Sequence, residues 1–301
     1  TCCLSSFSYF FSNIVYICTM NFNGKDTFSI AILDLYEGFE NQGMRGLREI
    51  IREFGEKNEI NIRLKEFDVR LKNELPGNDF DAYISSGGPG SPIESEGLAW
   101  DNQFFEWFKS MEEWNNNPSC IQKKHVYLIC HSFQLVCRHY GIGFLNKRHS
   151  TSFGIFPIHL TQAGKREPVF EGLNDPFFAV DSRDYQVVQP DHDKLEELGA
   201  EILCIEKERA HVPYERAIMG VRFSDYIIGS QFHPEADAIG MSLYLQQEDK
   251  KNNVIENHGL AKWQRMIDRL NDPDKIAWTQ SHVIPNFLKI ALKDLSPVMV
   301  P

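Results

Sequence analysis

The chain has 301 residues, of which 42% are hydrophobic, and this length suffices for one large domain with an extension. Its formal net charge of −11 argues against nucleic acid and against an anionic membrane surface as partners. Residues 1–19 differ from the rest, because they carry no charged side chain and precede Met20. The run is too short and too polar to span a membrane, and it lacks the basic start of a signal peptide. We therefore expect non-native upstream sequence or a disordered leader here.

Strand-like and helix-like patterns alternate after Met20. Apolar runs predict strands at 28–35, 60–67, 81–85 and 125–130, and helical spacing predicts helices at 41–54, 98–116 and 131–140. Further strands are predicted at 153–160, 177–181, 187–188, 201–206, 216–223 and 226–233, with a short helix at 195–198. Such alternation is typical of a parallel sheet that helices cover on both faces. We predict an α/β fold with an open, mostly parallel, doubly wound sheet.

The predicted domain spans residues 20–240, and residues 241–301 form a helical C-terminal extension. Helical patterns in the extension cover 241–247, 260–270 and 284–295, and they contain no catalytic motif. We expect these helices to pack on the domain, while a lid over a site or a docking surface stays open as an alternative.

The cysteines after Met20 show no paired spacing; they are Cys120, Cys130, Cys137 and Cys204. Sparse, unpaired cysteines are typical of a reducing cytoplasm. The sequence shows neither the ligand spacing of a zinc site nor the glycine-rich G-x-x-x-x-G-K-[ST] loop that binds phosphate. We therefore predict a cytoplasmic protein without a metal ion or cofactor.

Cys130 is a candidate nucleophile because of its position between two predicted elements. It ends the apolar run 125–130 and opens the helical run 131–140. The first N–H groups of a helix favour a thiolate and also stabilise an oxyanion. A cysteine at the end of a buried strand is, however, often a small core residue. The position alone leaves both interpretations open.

His233 and Glu235 are candidate partners of Cys130. Residues i and i+2 of a strand point to the same side, so Glu235 would accept a hydrogen bond from one imidazole nitrogen. The other nitrogen would then be available to Cys130, as in an activated nucleophile. Pro234 donates no ladder hydrogen bond, so the segment is predicted to lie at a strand end or edge.

A glycine-rich loop at 87–90 follows the predicted strand 81–85. Its glycines permit close approach of the backbone to a ligand, so the loop offers a second set of oxyanion donors. Taken singly, such a run is usually a turn. The case for a catalytic site rests on the loop, the cysteine turn and the His-Pro-Glu strand occurring together in this order.

In these three segments the chain resembles the class I glutamine amidotransferase family, including GMP-synthase-like glutaminase domains, over about residues 27–240. The resemblance implies a flavodoxin-like sheet and a catalytic triad. It assigns the nucleophile to Cys130, the base to His233 and the orienting acid to Glu235. It also implies hydrolysis of the glutamine side-chain amide through a glutamyl thioester. Because no synthase motif is evident, ammonia would pass to a separate synthase subunit.

The resemblance also implies residues that contact the substrate. The backbones of Gly88 and His131 would donate to the oxyanion, and Gln134 would help to hold glutamine. Ser182 and Arg183 occupy positions where the family usually has Ser-His, a segment that contacts the amino acid end of glutamine. We therefore include Ser182 and Arg183 among the predicted substrate-binding residues.

Departures from the family pattern keep two other functions open. Leu128 and Ser132 replace glycines of the elbow, which favours a catalytically inactive binding module. Arg183 and Asp237 are closer to the homoserine acyltransferases, which would transfer an acyl group from acyl-CoA to homoserine. Arg183 would then clamp a carboxylate, or else would pair at the surface with a neighbouring aspartate.

Overall fold

A computed structural model describes residues 27–39, 41–209, 212–270, 272 and 275–295. The predicted leader at 1–19 lies outside the described residues. The described strands form a single sheet; they are β1 (Thr27–Asp34), β2 (Asn61–Asp68), β3 (Ala82–Ser85), β4 (His125–Ile129), β5 (Gly143–Leu160), β6 (Phe177–Pro190), β7 (Glu201–Glu206), β8 (Ile218–Ser224) and β9 (Ile227–Ser230). Their order is β2-β1-β3-β4-β9-β8-β7-β5-β6. Strands β1 to β4 and β9 pair in parallel, and the remaining pairs are antiparallel.

Helices cover both faces of this sheet, which confirms the predicted α/β class. The described helices are α1 (Gln42–Lys57), α2 (Ala99–Asn116), α3 (His131–Tyr140), α4 (His192–Leu198), α5 (Ala238–Gln246), α6 (Glu248–His258), α7 (Leu260–Leu270) and α8 (Ile276–Lys293). Helix α1 begins where the side chain of Asn41 accepts a hydrogen bond from the amide of Met44 at 2.8 Å. The apolar residues of α1 recur at helical spacing and are buried. One core lies between the sheet and α1 and α8, and the other lies under α2 and α3.

The C-terminal helices divide into two groups. Helices α5 to α7 pack with Ile155 and Val180 in a small separate cluster. Helix α8 instead contributes Ile284, Phe287 and Leu288 to the core beneath the sheet. It begins at Ile276, eight residues before the predicted start. The domain boundary at residue 240 stays a prediction, but the core on this face includes α8.

Strands β5 and β6 are longer than the sequence patterns predict. They form an antiparallel pair from Gly143 and Pro190 to Ile158 and Phe177, with register shifts along it. The first half of β5 alternates between exposed and half-buried residues instead of presenting an apolar run. A strand that buries little apolar surface shows only weak hydrophobic alternation in its sequence. For this reason the sequence predicts a strand only from residue 153 onward.

The fully buried Leu128, which departs from the family pattern, is accommodated by a glycine on the next strand. Leu128 pairs in register with Gly229 of β9. A Cβ atom at position 229 would lie 3.0 Å from the Cβ and carbonyl oxygen of Leu128 and 3.0 Å from Cδ2 of Phe133. Gly229 on β9 therefore leaves the space that a glycine at position 128 would otherwise provide.

This packing predicts that Gly229→Ala destabilises the fold. The added methyl group has no room between Leu128 and Phe133, and overpacking of this kind costs about 1–3 kcal/mol. Urea unfolding measures the free energy. Gly77→Ala is the matched control, because a Cβ there would have its nearest neighbour at 3.5 Å. Equal losses for both variants would show that the contact with Leu128 is unimportant.

Candidate active site

Cys130 occupies a sharp turn between β4 and α3. Its φ of 48° and ψ of −93° are a conformation that residues other than glycine rarely adopt. The amide of Cys130 donates to the carbonyl of Ser230 at 2.7 Å, and the carbonyl of Cys130 accepts from Gln134 at 3.0 Å. These bonds to β9 and to the first turn of α3 hold the strained residue in place.

Ser132 fastens the same turn to its neighbours. Its hydroxyl oxygen accepts from the amide of Ile129 at 2.9 Å and lies 3.0 Å from the carbonyls of Ser85 and Ile129. The side chain is fully buried. The small residue that replaces glycine here therefore adds hydrogen bonds to the elbow.

His233 and Glu235 follow β9 and form a hydrogen-bonded pair. Nδ1 of His233 lies 2.8 Å from Oε1 of Glu235. An ionised carboxylate only accepts, so Nδ1 donates and Nε2 is left for another partner. The amide of His233 donates to the carbonyl of Val180 at 2.8 Å, which fixes the histidine backbone against β6.

The side chains of His233 and Cys130 meet beside Gly87. A Cβ atom at position 87 would lie 3.0 Å from Cε1 of His233, 3.2 Å from the hydroxyl of Tyr36 and 3.6 Å from Cβ of Cys130. Glycine at 87 is therefore required by the crowding of three side chains. The sulfur of Cys130 lies 3.7 Å from the carbonyl oxygen of Ser182 and accepts from Nε2 of Gln231 at 3.5 Å.

Charge around His233 favours its protonated form. Burial lowers the pKa of the imidazole, but the negative charges of Glu235 and Cys130, with hydrogen bonds to both, outweigh burial. The net result raises the pKa of His233 well above its ordinary value. An imidazolium here is suited to giving a proton to a leaving group.

The start of α1 packs against Glu235. A Cβ atom at position 46 would lie 2.2 Å from the carbonyl oxygen of Glu235, so Gly46 permits an approach that alanine would block. A Cβ atom at position 43 would lie 3.0 Å from Oε1 of Glu235. The positive end of the helix dipole thus faces the carboxylate. Arg45 of the same turn forms an ion pair with Asp237.

A cavity of about 650 Å³ opens in front of these residues. It is lined by the candidate residues Cys130, His233, Glu235, Gly88 and Ser182. A Cβ atom at position 88 would lie 2.4 Å from the carbonyl oxygen of Leu35, so only glycine fits there. The structure therefore brings the three sequence segments to one cavity, with a backbone loop beside the sulfur.

The family model described as glutamine amidotransferase class-I matches residues 33–242. The chain belongs to the class I glutamine amidotransferase family. No curated protein matches the chain.

Solved structures of glutamine amidotransferases share this fold. A glutamine amidotransferase from Thermotoga maritima aligns with a TM-score of 0.61 at 16% identity, covering 88% of this chain and 98% of that one. A glutamine amidotransferase from Methylobacillus flagellatus aligns with a TM-score of 0.52 at 14% identity, covering 88% of this chain and 94% of that one. The glutaminase domain of Trypanosoma brucei CTPS, solved with bound acivicin, aligns with a TM-score of 0.53 at 10% identity, covering 87% and 94% respectively.

Two residues that the family resemblance implies lie behind the cavity wall. The side chain of His131 packs beside the Trp100 ring, and burial, with Arg70 and Arg138 nearby, lowers its pKa to about 3. Its backbone, at the start of α3, is the part of His131 that lies next to the Cys130 turn. Gln134 donates to Oε1 of Gln231 at 2.8 Å and so reaches Cys130 indirectly.

The side chain of Arg183 lies outside the cavity, although the sequence predicts that it binds the substrate. Its side chain is buried, with Nε 3.1 Å from Asp181 and Nη2 3.0 Å from Glu206. It does not line the cavity in front of Cys130, whereas the neighbouring Ser182 does. The position of Arg183 therefore does not support a carboxylate clamp in that cavity, because alternate residues of β6 face opposite sides. The alternative, an ion pair with a neighbouring aspartate, is present with Asp181, but the pair is buried and not at the surface.

Sequence reasoning missed Tyr36 and gave no role to Gln231. Tyr36 lines the cavity, and a Cβ atom at position 43 would lie only 2.6 Å from its hydroxyl. Burial, followed by the charges of Glu235, Cys130 and Asp34, raises the pKa of Tyr36 well above its ordinary value, so the phenol stays protonated. The available signal was its position just after β1, at the carboxyl edge of the sheet where α/β folds bind ligands.

The charge of Glu235 predicts the titration of His233. Replacement of Glu235 by Gln removes the largest contribution that raises the pKa, so the pKa of His233 falls in E235Q. Nuclear magnetic resonance of the ring nitrogens measures it. The wild-type stabilisation from His233 is complete below about pH 6.5 and is lost as pH rises through the higher native pKa. This dependence should shrink in E235Q.

Glu171→Gln is the matched control for that titration, because Glu171 is an exposed acid that does not line the cavity and is not among the groups that shift the pKa of His233. It removes the same charge and should leave the pKa of His233 unchanged. A wild-type His233 that titrates at or below the ordinary histidine value would contradict the electrostatic account of this pair.

Proposed function

We propose that this amidotransferase-family protein hydrolyses the side-chain amide of glutamine through a covalent intermediate on Cys130. The observation that carries the proposal is the strained Cys130 turn in the same cavity as a His233 whose Nδ1 is held 2.8 Å from Glu235. A nucleophile, a base and an orienting acid in this order form an activated nucleophile. Membership of the family supports glutamine as the substrate.

In the first half-reaction the Cys130 thiolate forms a bond to the amide carbon. Electrons of the C=O bond move to oxygen, and the backbone amides of Gly88 and His131 stabilise the oxyanion. The tetrahedral intermediate collapses as the C–N bond breaks. The imidazolium of His233 gives its Nε2 proton to the leaving nitrogen, and ammonia departs. A glutamyl thioester remains on Cys130.

In the second half-reaction water attacks the thioester carbon and gives a proton to Nε2 of His233. The C–S bond breaks, the thiolate of Cys130 is restored, and glutamate leaves. Glu235 keeps Nδ1 protonated throughout and stabilises the imidazolium. The neutral phenol of Tyr36 is a further hydrogen-bond donor beside the reacting groups.

We further propose that the ammonia passes to a separate synthase subunit. Members of this family commonly supply ammonia to a synthase, and the chain contains no G-x-x-x-x-G-K-[ST] phosphate loop of its own. Among the described residues no helix is both long and apolar enough to cross a membrane.

The structure does not favour the two alternatives. Acyl transfer rested on Arg183 and Asp237, which are engaged by Glu206 and Arg45 respectively. The inactive binding module rested on Leu128, which Gly229 accommodates. Neither departure from the family pattern therefore points away from a working elbow.

The direct test is ammonia release from glutamine. Cys130→Ala should lower the rate by a factor on the order of 10⁴ to 10⁶, since alanine has no nucleophilic atom. Cys120→Ala is the matched control, because Cys120 is a partly exposed free thiol outside the cavity. We expect its rate to equal that of the wild type.

Two results would defeat this proposal. One is a well-folded Cys130→Ala variant that releases ammonia at the wild-type rate. The other is a wild-type protein that leaves glutamine intact and acylates homoserine from acyl-CoA. The second result would keep the nucleophile but change the substrate.

A further inference from the structure

A second cavity concentrates positive charge in a protein whose net charge is −11. This cavity has a volume of about 470 Å³ and is lined by Arg148, Lys207, Arg209 and Lys262. A smaller space of about 290 Å³ adjoins it, shares the two lysines and adds Arg265. Such clustering of cations against the overall charge indicates a site for an anion.

Two of the three carboxylates that line this cavity, those of Asp181 and Glu206, are already engaged by arginines. Glu206 binds Nη2 of Arg183 at 3.0 Å and Nη2 of Arg209 at 2.6 Å, and it lies 3.6 Å from Arg148. Asp181 binds Nε of Arg183 at 3.1 Å. The third carboxylate in the lining is that of the exposed Glu208. Three acids therefore face five cations across the larger and the smaller space, namely Arg148, Lys207, Arg209, Lys262 and Arg265, and the lining keeps an excess of positive charge.

The pKa of Arg148 reflects the same excess of positive charge. Burial, followed by the charges of Arg183 and Arg209, lowers the pKa of Arg148 to about 10. Arg183 does not line the cavity itself, whereas Arg148 and Arg209 do. An anion in the cavity would relieve the repulsion among these groups.

The walls supply hydroxyl groups and an aromatic surface. Ser150, Thr151 and Ser152 line the cavity, where the hydroxyl of Thr151 donates to Asp184 at 2.5 Å and that of Ser152 donates to Asp181 at 2.7 Å. The ammonium groups of Lys207 and Lys262 lie 4.9 Å and 4.7 Å from the centroid of the Phe156 ring. The two lysines are therefore held at the junction of the larger and the smaller space.

We propose that this cavity binds a phosphate-bearing small molecule. The phosphate group would lie among Arg148, Arg209 and the hydroxyl of Ser150, because guanidinium forks and hydroxyls match phosphate oxygens. The rest of the ligand would extend past Lys207 and Lys262 into the smaller space. The combined size lies within the range of small-molecule sites.

The ligand would lie next to the catalytic cavity. Phe153 lines both cavities, so one side chain separates them. On β6, Ser182 faces the catalytic cavity while Asp181 faces the cationic one. A bound phosphate compound would therefore contact the strand that also contacts the sulfur of Cys130.

Titration calorimetry with inorganic phosphate and with pyrophosphate tests the proposal. The wild type should give saturable binding, stronger for pyrophosphate, at moderate salt. Lys207→Gln and Lys262→Gln, made together, should weaken pyrophosphate binding about tenfold or more, because the second phosphate group would lose its charge-assisted hydrogen bonds to these lysines. Arg148→Gln should weaken it further, provided that circular dichroism shows a native fold.

The matched control is the double variant Lys165→Gln and Lys194→Gln. It removes the same charge from lysines that pair with Asp175 and Glu197 outside both spaces. Unchanged binding in this control supports a built site. Absence of saturable binding in the wild type, or equal weakening in both double variants, overturns the proposal. Glutamine hydrolysis is not the readout, so the outcome is independent of the proposed activity.

Discussion

The geometry of the candidate site depends on one strained residue. Cys130 is held at a φ of 48° by hydrogen bonds to β9 and to the first turn of α3. Such a backbone conformation persists only where contacts with the surrounding residues hold it in place. The hydroxyl of Ser132 and the space left by Gly229 meet that requirement with residues that differ from the usual glycine pair. The elbow is therefore preserved although its sequence is altered.

Close backbone approach assembles the rest of the site around that elbow. Gly46 allows α1 to touch the carbonyl of Glu235, and Gly88 allows its loop to touch the carbonyl of Leu35. Gly87 leaves the space in which His233 and Cys130 face each other. The absence of side chains at these positions explains how loops from three strands come within reach of one sulfur atom.

The sequence predicted the buried half of this molecule better than its exposed half. Strands such as β1 and β4 are covered on both faces, so they leave continuous apolar runs. The start of β5 and the first turns of α8 carry weaker patterns and were missed. The motif residues could be predicted because the members of each motif are adjacent in the sequence. The partners of Arg183 and Leu128 depend on strand register and face, which residue spacing alone does not fix.

Helix α8 has a consequence for how the chain reaches its native state. Its apolar residues cover the same face of the sheet as α1, and His125 at the start of β4 lies 2.7 Å from Asp294 just after the helix. Residues 276–293 follow all the described strands in chain order. During synthesis, the part of this face that α8 covers therefore remains open to solvent and to chaperones until α8 has left the ribosome, although α1 already covers the rest.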